Sequence, residues 1–108
     1  MKKPNLNKLL AKWQRRLRLQ DWNIDIAWGT DRDLDDINPA CVGRTKINLN
    51  NFYASIRVRE PNMTESWIKT LQNVELTVIH ELVHVSLVWY KEQEEVCVEK
   101  LAQALLEI

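Results

Sequence analysis

Five residues carry the chemistry that can be read from this chain: His80-Glu81-Leu82-Val83-His84, an H-E-x-x-H pattern inside the apolar run from Val74 to Trp89. On a helix, residues four apart lie on one face, a turn above each other. Both imidazoles can therefore address one ion, with the Glu81 carboxylate beside it. Zinc suits such a pair: it binds neutral imidazole nitrogen at about 2.0–2.1 Å and tolerates a tetrahedral site with one open position. A water in that position has its pKa lowered to about 7, and the neighbouring Glu can take its proton. The chain has two histidines, and both are in the pattern. Val78, Ile79, Leu82, Val83 and Val85 surround them, which predicts a dry, rigid setting. The plainer alternative is a set of hydrogen-bonded core polar groups. Burying two imidazoles and a carboxylate together without an ion is costly, which favours the metal.

The elements that must position this pattern follow from periodicity. Asn5 can cap a first helix carrying Leu6, Leu9, Leu10, Trp13 and Leu17 as one apolar stripe, with Lys8, Lys12, Arg15 and Arg16 largely off it. Trp22, Ile24, Ile26 and Trp28 alternate with polar residues, a strand ended by Gly29. Residues 30–39 are acidic and turn-rich. A second strand is expected over Val42 to Leu49, a turn at Asn50-Asn51 and a third strand over Ser55 to Arg59. Asn62 or Thr64 can cap the next helix, and a pattern running from Thr64 to Tyr90 is long enough to expect a break near Gln72-Asn73. Val98, Leu101, Ala102, Leu105 and Leu106 mark a last amphipathic helix. The expected class is α+β: an N-terminal helix, a small, partly antiparallel sheet of about three strands, the H-E-x-x-H helix and an antiparallel C-terminal helix.

A chain of 108 residues predicts one domain, residues 1–108, with a single core. Net charge is zero, so nothing global argues for nucleic acid or a membrane. Charge is nonetheless uneven: residues 1–20 hold seven basic side chains and no acidic one. The basic face of the first helix could touch nucleic acid, although a solvated face is the commoner meaning of such a run. Cys41 and Cys97 make no disulfide framework; reduced thiols in a cytoplasmic protein are expected, without a signal peptide or a membrane span.

Two histidines do not complete a catalytic zinc site, which usually has three protein ligands. In one straight helix Glu95 would stand about 16 Å from His84, so the chain must fold back around Tyr90-Lys91-Glu92-Gln93. Glu94, Glu95 and Glu99 are then candidates. Glu95 is preferred because it shares a stripe with Val98 and Ala102, with Glu99 one turn later. One carboxylate of that pair could bind the metal while the other accepts a His N–H. Glu99 as the ligand is the main rival, and Cys97 a further one.

The order of a basic helix, a Trp-led strand, an H-E-x-x-H helix and a Glu-Glu helix ending Leu101-Ala102-x-Ala104-Leu105 resembles the minimal gluzincin-type zinc metallopeptidase-like proteins of phages and bacteria. These are related in plan to SprT-like and ImmA/IrrE-like domains. The resemblance implies zinc held by His80, His84 and Glu95, with Glu81 as general base. It implies hydrolysis of a peptide or protein substrate, which could lie extended along the strand ending at Leu49. Arg44, Tyr53 and Tyr90 are candidate oxyanion donors. Two other readings compete: a non-catalytic zinc-binding interaction module, and a nucleic-acid-associated protein using the first helix.

Overall fold

A computed structural model describes residues 3–29, 42–60, 66–88 and 95–107, apart from the side chains of Trp67, Ile68, Glu95, Val96 and Cys97. The elements run α1 (Leu6–Arg16), β1 (Asn23–Gly29), β2 (Gly43–Asn48), β3 (Tyr53–Arg59), α2 (Trp67–Ser86) and α3 (Glu95–Leu106). This is the expected α+β arrangement.

Helix α1 begins where Asn5 accepts the Lys8 N–H at 3.1 Å. It ends in a Schellman turn: Leu19 N–H bonds Gln14 O at 2.9 Å, Arg18 N–H bonds Arg15 O at 3.2 Å, and Arg18 takes φ 57°. An arginine there carries the left-handed strain that glycine would avoid, about 1–2 kcal/mol. Its buried stripe is Leu6, Leu10 and Trp13. On its basic face, Lys12 Nζ lies 2.8 Å from Glu75 of α2, and the Arg16 guanidinium stacks 4.8 Å from the Trp13 ring centroid. Two of those cations thus serve packing.

The sheet order is β1-β3-β2, with β1 parallel and β2 antiparallel to β3. Register explains the core. Ala54, Ile56 and Val58 of β3 are buried, and their partners Ile24, Ile26 and Trp28 in β1 and Ile47, Thr45 and Gly43 in β2 share that face. The helices cover this face. The opposite face carries Asp25, Arg44, Lys46, Tyr53, Ser55, Arg57 and Arg59.

Helix α2 is central, packing against α1, β2, β3 and α3. Ser66 caps it, accepting the Lys69 N–H at 3.3 Å; the sequence-suggested caps Asn62 and Thr64 lie outside the described residues. The break expected at Gln72-Asn73 is absent, and the helix runs through. Both side chains are exposed there, so only a few tenths of a kcal/mol of propensity oppose continuation, against the burial of Val74 and Val78. The second half of α2 buries Val78, Ile79, Leu82, Val83 and Val85, and Val98 and Ala102 of α3 pack back on it. The turn expected near residues 90–93 lies outside the described residues.

Candidate metal centre

His80, Glu81 and His84 occupy the last two turns of α2 before its cap at Leu87. Helical spacing brings the imidazoles face to edge, with ring centroids 5.1 Å apart and planes at 63°. One potential ligand atom from each of the three residues lies within 4.8 Å of the others, so the group could hold a metal ion. His80 and His84 are half-buried, and Glu81 is buried at 5% exposure. The group sits at the C-terminal end of the helix, where the macrodipole is negative and favours a cation.

Two contacts from other elements fix the group. His80 Nδ1 lies 2.5 Å from Glu99 Oε2 of α3. With the proton on Nδ1 and shared with that carboxylate, the lone pair a metal needs is on Nε2. From the sheet, Thr45 Oγ1 donates to Glu81 Oε1 at 3.0 Å. The backbone of β2 comes close because residue 43 is glycine: a Cβ there would stand 2.8 Å from Thr77 Cγ2 and 3.2 Å from Glu81 Cγ. Glu81 is thus held between a helix and the sheet, which orients it while keeping it out of bulk water.

A second carboxylate of α2, Glu75, ties the helix to α1. Trp13 Nε1–H and Lys12 Nζ–H donate to its Oε2 at 2.6 Å and 2.8 Å. Burial pushes its carboxyl up, but those two hydrogen bonds and the charges of Lys12 and Arg16 outweigh burial and hold it below its ordinary value.

The structure brings together His80, Glu81, His84 and Glu99, while the Glu95 side chain lies outside the described residues, although its backbone opens α3. Glu94, Tyr90 and Cys41, and the Cys97 side chain, also lie outside them. Arg44 and Tyr53 lie on the sheet face opposite the one α2 covers. Sequence reading did not single out Thr45 or Gly43. Nothing local marks them, since Thr45 is 36 residues from Glu81 and only the packing of α2 on β2 joins the two. Comparison of the chain with protein-family models, with curated proteins and with solved structures returned no match.

Proposed function

We propose that this protein is a zinc-dependent metallopeptidase with His80 and His84 as metal ligands and Glu81 as general base. The observation that carries the reading is the convergence of the His80-Glu81-His84 group with Glu99 behind one imidazole and Thr45 behind the carboxylate. Glu95, on the opening turn of α3, is proposed as the third ligand.

Bound zinc would activate a water and polarise the scissile carbonyl. Glu81 accepts that water's proton and delivers it to the departing amine, so one carboxylate serves both steps. Thr45 holds one oxygen of Glu81 and thereby aims the other. Glu99 keeps the His80 ring in the tautomer and orientation that binding requires. Strand β2 lies at one edge of the sheet among the described residues, and Thr45 places it beside Glu81. An extended peptide can add to that edge by main-chain hydrogen bonds, which would lay its backbone past the metal.

The test is zinc content and casein cleavage, measured on wild type, His84→Ala and Glu81→Gln. Wild type should bind one zinc and cleave; Glu81→Gln should keep the zinc and lose cleavage; His84→Ala should lose both. Wild type without zinc overturns the metal assignment. Unchanged cleavage in Glu81→Gln removes Glu81 as the base. Zinc bound by a wild type that cleaves nothing points to the non-catalytic metal module instead.

A further inference from the structure

The sheet face turned away from the helices gathers cations that sequence order disperses. Arg44 stands directly opposite Arg57 across the β2–β3 ladder, Lys46 is opposite Ser55, and Arg59 lies two residues along β3 from Arg57. On this face the strands contribute Arg44, Lys46, Arg57 and Arg59 against one described acid, Asp25. The chain as a whole is neutral, with 15 basic and 15 acidic residues, so the cluster is a local asymmetry rather than a reflection of composition. Like charges directly opposite in a ladder are destabilising. Asp25 offsets part of this by bonding Arg57 Nη2 at 2.9 Å, while Arg44 and Arg59 are also engaged within the chain.

We propose that this face binds the phosphate backbone of a single-stranded nucleic acid. Three of the four cations are arginines, whose planar donor fork matches phosphate oxygens in pairs. The same face presents a partly exposed Tyr53, flanked across the ladders by Asn23 and Asn48. An aromatic ring among cations and amides on an open sheet is a surface on which an unpaired base stacks and its edge is read. A duplex keeps its bases stacked and offers Tyr53 nothing. An acidic peptide offers single carboxylates and no ring to stack. Helix α1, the basic element evident from sequence, is the weaker candidate, because its one aromatic side chain, Trp13, is buried and leaves no ring for a base. The existing contacts of Arg44, Arg57 and Arg59 must yield to a ligand, which implies modest affinity. Neither zinc nor hydrolysis enters this proposal.

The experiment is fluorescence anisotropy with a labelled 20-nucleotide oligo(dT), a mixed-sequence duplex of equal length and a poly-glutamate peptide, across a salt series. With about three phosphates neutralised, log K should fall against log salt with a slope near −2, at about −0.7 per contact. Lys46→Gln with Arg59→Gln should weaken oligo(dT) about tenfold or more and flatten that slope by more than one unit. Arg59→Lys should keep the slope, since the charge remains. Lys8→Gln with Arg15→Gln on α1 should change little. Circular dichroism on each variant checks that the fold is intact. The proposal is overturned by no oligo(dT) binding at about 50 mM salt, a salt range in which phosphate contacts are strong. Equal or tighter binding of the duplex or the peptide also overturns it, as does loss through the α1 variants but not the sheet variants.

Discussion

Replacing Gly43 by alanine should disturb the metal centre from the sheet side. Gly43 has no positive φ, so the backbone tolerates alanine and the whole cost is steric. The added Cβ would stand 2.8 Å from Thr77 Cγ2, 3.2 Å from Glu81 Cγ and 3.3 Å from Glu81 Cδ. Carbon pairs are comfortable near about 3.5–4.0 Å, so β2 and α2 must separate or Thr77 must turn. Turning Thr77 breaks its hydrogen bond to Asn73 O, 3.0 Å long. Overpacking of this kind costs about 1–3 kcal/mol, while the stiffer unfolded chain returns about 0.4–1 kcal/mol. A net loss of about 1–2 kcal/mol follows, or roughly 5–10 °C in Tm for a chain of this size. Thr77→Ser removes the clashing methyl and keeps the hydroxyl, so in that background Gly43→Ala should cost about 1 kcal/mol less. Urea unfolding of the four proteins in this cycle measures the coupling. A coupling below about 0.5 kcal/mol, the ordinary error of additivity, would refute the close approach of β2 to α2.

Glu75→Gln should destabilise the protein at neutral pH. Because the Glu75 carboxyl is held below its ordinary value in the folded chain, its contribution is complete above that ordinary value and fades as pH falls through the lowered one. The gap between wild type and variant should therefore narrow under acid, and chemical unfolding at pH 7 and at about pH 3 would show it; a constant gap refutes the pairing. Glu99→Gln should leave the helices intact but weaken zinc about 10–100-fold in a competition titration, whereas zinc affinity equal to wild type would detach Glu99 from His80. Thr45→Val should cost about 1–3 kcal/mol by depriving a buried carboxylate of its donor, with Thr45→Ser close to wild type. If valine and serine behave alike in thermal melts, the hydroxyl is not what holds Glu81.

The local parts of this molecule were legible in the sequence. Asn5 as a cap, the Leu6–Leu10–Trp13 stripe and the alternation from Trp22 to Trp28 each state their structure within a few residues, because capping and periodicity are local effects. The H-E-x-x-H pair is legible for the same reason: a helix alone brings residues 80 and 84 onto one face. Helix length was read less well. Gln72 and Asn73 look like a weak point, but tertiary burial on either side carries the helix across them. Least visible was what packing between elements decides. The meeting of Arg44 with Arg57 depends on which residue of one strand faces which of another, and the approach of Gly43 and Thr45 to Glu81 on how α2 packs on β2. For Arg44 and Arg57 the turn at Asn50-Asn51 fixes the pairing, whereas nothing local announces where α2 docks on β2.

The bond between Thr45 and Glu81 also bears on the order in which the molecule acquires its parts. His80 and Glu99 are 19 residues apart on two packed helices, whereas Thr45 and Glu81 are separated by 36. Closing the longer loop costs only about 0.6 kcal/mol more. The larger difference is one of docking: β2 and β3 form a local hairpin closed at Asn48 and Tyr53, α2 and α3 form another, and the Thr45–Glu81 bond needs the two to meet. The helical pair can therefore gather the imidazoles and the Glu99 carboxylate without the sheet, and Glu81 gains its donor only when the strand hairpin docks on α2. A chain at that stage would be able to capture an ion yet lack an aimed base, and the docking of the strand hairpin would mark the end of that stage.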